Sequence, residues 1–469
     1  MQHRADSKRA PASHDLIGAS KAGAMKRNLT TGSVFKNVVL FSLPYLLSYF
    51  LQTLYGMADL FIIGQYGAAA ETTAVSVGSQ VMHMLTVMLV GLAMGTTVNI
   101  AQAVGAGDRE RASMCVGNTV TLFSAASLAG TLVLLLLRRQ IAGLMSTPTE
   151  AMEGAVAYLT VCFIGIPFIT AYNILSAVFR GMGDSKSPMY FIAAACAANI
   201  ALDYLFIGAM KLGAAGAALG TTLAQALSVA LALLTIRKKR LIPLQREDLR
   251  PRRTVLGSIL RIGVPIAVQD GLIQIAFIII TIIANQRGLR DAAAVGIVEK
   301  VIGFLFLVPS SMLSTVSALG AQNIGAGKPE RARRTLGYAI VLAAGFGVAA
   351  AAAMQFFAEP VVGLFTQDAA VVTAGGQYLR GYVFDCIFAG IHFCFSGYFC
   401  ACGRSGLSFL HNITSIALLR VPGVWLMSRR YPQTLFPMGL ATVAGSVLSV
   451  VICLIAYAAL RRREKGGKA

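Results

Sequence analysis

Apolar residues in this chain run for about twenty positions at a time, and most of the polar and charged ones fall between the runs. Twelve such stretches are present, near 35–62, 73–100, 113–137, 154–179, 188–210, 213–236, 255–285, 292–321, 334–357, 371–400, 406–428 and 436–460. A helix rises 1.5 Å per residue, so a run of about 20 residues crosses a hydrocarbon core of roughly 30 Å. A closed barrel would need short alternating strands, and 132–137 and 275–283 do not alternate. The expected fold class is therefore all-α and integral to a lipid bilayer, with twelve transmembrane helices.

The segments between the runs repeat. Gly105-Ala106-Gly107-Asp108-Arg109-Glu110-Arg111-Ala112 returns 220 residues later as Gly325-Ala326-Gly327-Lys328-Pro329-Glu330-Arg331-Ala332. Gln102 and Gln322 precede the two copies, Tyr158-Leu159 recurs as Tyr378-Leu379, Gly183 and Ser185 recur as Gly403 and Ser405, and Pro44 and Pro265 open the two halves. Each half holds an even number of spans, so the second starts on the same side as the first and the repeat is parallel. The layout expected is two pseudo-symmetric six-helix bundles, 34–237 and 254–461. A basic cytoplasmic tail (1–33) precedes them, a cytoplasmic linker (238–253) joins them, and a short tail (462–469) follows. Such a duplication in an apolar chain points to a substrate path at the lobe interface.

Composition agrees: 56% of residues are hydrophobic, 13% are charged, and the mean hydropathy is +0.69. The net charge of +20 suggests nucleic acid until the charges are placed. With both termini inside, 29 Lys and Arg fall on the cytoplasmic side and seven on the other, namely Arg138, Arg139, Lys211, Arg287, Arg290, Arg429 and Arg430. That asymmetry is the positive-inside rule, so the partner is the bilayer of the plasma (inner) membrane and no nucleic acid is expected. The polar start lacks an apolar signal core, leaving the first span as the uncleaved insertion signal. The Gly-Ala-Gly copies lack the Lys-Ser/Thr of a phosphate loop and read as turns followed by helix-starting charges. Eight cysteines lie within or at the ends of spans without zinc-site spacing, as packing residues. The five histidines form no hydrolase or metalloprotease motif, so no enzyme is expected.

A carboxylate inside a span costs about 2.5–3.5 kcal/mol on insertion scales and needs a reason. Asp59, Asp203, Asp270 and Asp385 stand out. Asp59 lies fifteen residues after Pro44 and Asp203 fifteen after Pro188, in two helices that both run outward. The rise is roughly 22 Å in each case, which puts both acids at one depth in the outer half of the first lobe. Asn199 is one turn below Asp203 on the same face, and Thr221 reaches a comparable level from the sixth span. Two carboxylates, an amide and a hydroxyl suit a sodium ion or a shared proton equally.

These residues carry a family resemblance. Pro44, Tyr55, Asp59 and Gly64 in the first span, Gln102 with Gly105-Ala106-Gly107, Asn173 with Arg180-Gly181-Met182-Gly183-Asp184-Ser185-Lys186, Asn199 with Asp203, and Gly220-Thr221 follow in order. Over residues 34–460 the set resembles the multidrug and toxic compound extrusion (MATE) family, in particular its prokaryotic branch with a first-lobe cation site. The resemblance implies antiport, in which an inward proton or sodium gradient drives export of amphipathic, often cationic, small molecules by alternating access. It assigns the cation network to Asp59, Asn173, Asn199, Asp203 and Thr221, with no cofactor beyond the coupling ion and no metal beyond possible sodium. The chain is expected to act as a monomer.

Another branch of the family carries a glutamate eight residues after the seventh-span proline, where this chain has Ile273. Asp270 and Asp385 are accordingly expected to neutralise the intramembrane bases Lys300 and Arg420. Tyr49, Gln52 and Tyr55 of the first span and Met88 of a methionine-rich second span are pocket candidates. Pro44, Pro167, Pro265 and Pro309 are candidate bends. The competing reading, a flippase for a lipid-linked oligosaccharide in the same superfamily, would place arginines in the cleft to meet pyrophosphate. The interiors of the first lobe's spans carry no basic residue, which favours cationic cargo.

Overall fold

A computed structural model describes residues 29–239 and 244–466. Most of the basic tail, part of the linker and the last residues lie outside the described residues. The first bundle comprises α1 (Val34–Tyr66), α2 (Ala69–Gly105), α3 (Arg109–Leu144), α4 (Thr149–Ile164), α5 (Ile166–Gly181), α6 (Lys186–Asp203) and α7 (Gly213–Lys239). The second comprises α8 (Arg253–Asn285), α9 (Leu289–Leu305), α10 (Leu307–Gly325), α11 (Pro329–Gly363), α12 (Ala369–Tyr382), α13 (Asp385–Ala401), α14 (Ser405–Ser415), α15 (Val421–Arg430) and α16 (Phe436–Gly466). Ten of these stretches are long and apolar enough to cross a membrane alone, and two bent pairs raise the number to twelve. The spans expected from the apolar runs are all present.

The breaks have local causes. Between α4 and α5 the axis turns by 48° at Gly165, with Pro167 in the first turn of α5, where its missing N–H costs nothing. Between α12 and α13 it turns by 42° with no proline at the break. Pro44 and Pro265 sit inside continuous helices α1 and α8, and Pro309 lies in the first turn of α10. After α2 and α10 the chain turns on Gly107 and Gly327, both at positive φ, and Asp108 then caps α3 by accepting from the Arg111 N–H at 2.9 Å. One π-helical turn, Tyr204–Ala209, follows Asp203, and another, Ile416–Arg420, ends on Arg420.

Each lobe has its own apolar core, built around Tyr158, Phe163 and Ile63 in the first and around Tyr378, Tyr382 and Val298 in the second. The two opening helices also reach across. The first half of α1 (Val34, Val38, Phe41, Tyr45) packs among Met312, Val316 and Phe395 of the second lobe. The first half of α8 (Ile262, Ile266) packs against Met94, Val98 and Ala101 of α2. Backbones touch there: a Cβ on Gly95 would stand 2.1 Å from the Ile259 carbonyl oxygen.

Candidate functional site

The outer half of α1 turns from the second lobe into the first, and there it meets α6 and α7. Asp59 is 2% exposed and Asp203 and Asn199 are fully buried. Thr221 of α7 donates to Asp59 Oδ2 at 3.0 Å, and the side chains of Asp203 and Asn199 adjoin the same carboxylate. Gly220 makes the closeness possible, because a Cβ on it would lie 2.2 Å from Asp203 Oδ1. The depth argument from Pro44 and Pro188 therefore brings together four of the five residues expected in the cation network.

Most of the oxygens in this group are unpaired. Asp59 Oδ1, both Asp203 carboxylate oxygens and Asn199 Oδ1 are buried with no hydrogen-bond partner. Burying such oxygens unpaired is costly, and a hard monovalent cation or a proton answers that cost. Tyr55, one turn before Asp59, accepts a long hydrogen bond from Gln225 Nε2 of α7 at 3.4 Å, so the network continues inward along the α1–α7 seam. Gln225 was not among the expected residues, although it lies one turn beyond Thr221.

Asn173 is not brought into this group. Its amide donates to the Ile169 carbonyl at 2.8 Å, and it lines a small cavity between the lobes with Tyr45, Tyr49, Thr97 and Arg180. Late placement in an inward-running span explains this lower level. Arg180 lies over the Tyr45 ring at 4.3 Å, and Tyr49 bonds Ser314 of α10 across the lobes at 2.9 Å. The four pocket candidates consequently occupy different places. Tyr55 adjoins the acid group, Tyr49 lines the interlobe cavity, Gln52 adjoins Tyr172, and the Met88 side chain lies beside Gly271 of α8.

In the second lobe one expected pair forms and the other does not. Arg420 donates to Asp385 Oδ2 at 2.6 Å and to the Tyr382 hydroxyl at 3.1 Å, with its guanidinium 5.7 Å from the Phe277 ring centre. Lys300 is exposed and makes no ion pair with Asp270. Successive helix positions point about 100° apart, so turning Lys300 outward turns its neighbour Glu299 inward. Glu299 accepts from Thr281 at 3.2 Å and faces Arg420. In the sequence it is an acid within the eighth apolar run, next to Lys300. Asp270 instead stands half-buried beside Gly91 of α2, with Met88 a turn away. His392 and His411, scattered in sequence, come within 5.5 Å, ring to ring, in the second lobe.

Two pseudo-symmetric bundles of membrane-crossing helices, meeting at an interface with a small polar cavity and each burying acids within its spans, define a multi-pass membrane transporter. The MatE family model matches residues 44–205 and again 265–426, one copy for each lobe. The chain belongs to this family. It is 28% identical over 401 residues to the probable multidrug resistance protein YpnP of Bacillus subtilis, covering 86% of this chain and 90% of that one. It is 26% identical over 431 residues to the multidrug export protein MepA of Staphylococcus aureus, covering 90% and 94%. Among solved structures, a MATE transporter in a bent conformation superposes with a TM-score of 0.87 at 23% identity, over 94% of this chain and 98% of that one. A MOP-superfamily transporter from Pyrococcus furiosus superposes at 0.84 with 24% identity, over the same shares. The two-lobe fold is shared throughout.

Proposed function

We propose that the protein is a secondary antiporter that exports amphipathic, cationic small molecules in exchange for a proton or a sodium ion, with the coupling ion held by Asp59, Asp203, Asn199 and Thr221. The observation that supports this most directly is the buried contact of two carboxylates from different helices, three of whose four oxygens lack a hydrogen-bond donor, as does the Asn199 amide oxygen beside them. Cargo binding in the cleft and ion binding in the first lobe would then alternate as the lobes rock. The relatives named for multidrug resistance and export agree with such cargo. Asp270, an acid at the α2–α8 contact with no ion-pair partner among the described residues, supplies a counter-charge for a cation. Arg180, the base that lines the interlobe cavity, is engaged with the Tyr45 ring, which speaks for cations over pyrophosphate-bearing lipids. Both termini would face the cytoplasm of the producing cell.

The test is efflux of a fluorescent cationic dye from energised membrane vesicles. Asp59→Asn and Asp203→Asn should each abolish it while leaving expression and detergent stability intact. Undiminished efflux in both would refute the assignment.

A further inference from the structure

The repeated Gln-x-x-Gly segments are unexplained by the ion site, yet they meet at the lobe interface with twofold regularity. Gln102 Nε2 of α2 donates to the Ala401 carbonyl at 2.9 Å, and Gln322 Nε2 of α10 donates to the Gly181 carbonyl at 2.9 Å. Ala401 is the last residue of α13 and Gly181 the last of α5. Carbonyls in the last turn of a helix have no partner within it, so each glutamine caps a helix end of the opposite lobe. The backbones of the same two segments also touch. A Cβ on Gly105 would lie 2.0 Å from the Gln322 carbonyl oxygen, and one on Gly325 would lie 2.0 Å from the Gln102 carbonyl oxygen. Every element of one contact maps on the other by the 220-residue offset of the repeat.

We infer that Gln102, Gln322, Gly105 and Gly325 form a reciprocal latch that holds the cytoplasmic mouth of the cleft shut, and that both halves must release together for cargo to enter. The placement follows from the chain: all four residues adjoin the turns that carry Arg109, Arg111, Lys328 and Arg331, on the basic side. Cargo entering from that side has to pass between α2 and α10, which cross here at backbone contact distance. The carbonyls capped across the interface make the closed state specific in geometry. A shift by one residue would leave both amides and both helix ends unpaired. The glutamines are positioning residues for the transport cycle and touch neither ion nor cargo in this state. The inference rests on the alternating-access reading.

Its test needs no cargo, so it can fail independently of the exporter assignment. Cys400 is buried where the lobes meet, among Met94, Val98, Ala101, Ile262 and Ile266, and Cys162 is buried inside the first lobe. The purified full-length protein is treated with N-ethylmaleimide, and modification of each cysteine is timed by peptide mass spectrometry. Removing two hydrogen bonds in Gln102→Ala/Gln322→Ala should speed Cys400 modification roughly tenfold. Gly105→Ala and Gly325→Ala, which force the backbones apart, should each do at least as much, and to matching extents. Cys162 should stay slow in every variant. A Cys400 rate unchanged in all of them, or rising only in step with Cys162, would overturn the latch.

Discussion

The Thr221 hydroxyl of α7 reaches across to the Asp59 carboxylate of α1 at 3.0 Å, tying together two helices that enter the first lobe from opposite ends of its sequence. It holds Asp59 Oδ2, while Asp59 Oδ1 and both Asp203 oxygens are buried. Thr221→Ala removes it while leaving the carboxylates in place. Because this bond stabilises the ion-free carboxylate, proton-driven dye efflux should then be half-maximal at a proton concentration lower by roughly tenfold, the value of a hydrogen bond to a charged group. Thr221→Ser, which keeps the hydroxyl, should restore the wild-type dependence. Equal ion dependence for alanine and wild type would remove Thr221 from the site.

Gly220 is expected to be as sensitive as the acids themselves. In Gly220→Ala the new methyl group overlaps Asp203 Oδ1, at 2.2 Å, so the carboxylate must turn away from Asp59. Transport should fall at least tenfold, for the loss of one well-placed ligand, while the variant still elutes as a folded monodisperse species. Full transport in Gly220→Ala would mean that the Asp59–Asp203 contact is dispensable.

The Asp385–Arg420 pair is held to be structural. Asp385 is fully buried and Arg420 nearly so, and removing one partner strands the other charge. Asp385→Asn or Arg420→Met alone should destabilise the protein by about 3–5 kcal/mol, and the double variant should recover most of that loss. Thermal unfolding in detergent reads this out. Additive losses in the double variant would show that the two groups act separately.

Asp270 has no such partner, and its expected consequence is different. Asp270→Asn should raise KM for a cationic dye by roughly five- to tenfold, about what one partly solvated charge contact contributes. KM for an uncharged amphipathic cargo should stay level. Equal effects on both cargo types would point to packing against Gly91 instead of charge recognition.

Much of this fold is legible from residue order alone because membrane insertion imposes so strict a rule. A span must be apolar for about 20 residues, so the twelve runs announce the twelve crossings. The duplication then sets their arrangement. Asp59 and Asp203 were legible for a related reason, since equal distances from Pro44 and Pro188 along rigid helices become equal depths. Asn173 entered the network through the resemblance alone, and its late position in an inward-running span already set it at a lower level than the two acids. Lys300 and Glu299 show a second limit. Depth was readable at that point of α9, but rotation about the helix axis decides which neighbour faces inward, and that depends on packing against α8 and α12. The glutamine latch shows a third. Gln102 and Gln322 are plain in the repeat, yet their partners are carbonyls on the far lobe, which carry no side-chain signature.

The most direct measurement of the central claim is cargo flux in proteoliposomes with the sodium and proton gradients imposed separately. Wild-type protein should accumulate a cationic dye against its gradient in response to one of the two ions, and Asp59→Asn and Asp203→Asn should bind dye yet fail to couple its movement to either. Gradient-driven accumulation persisting in both variants would contradict an ion site at these two carboxylates.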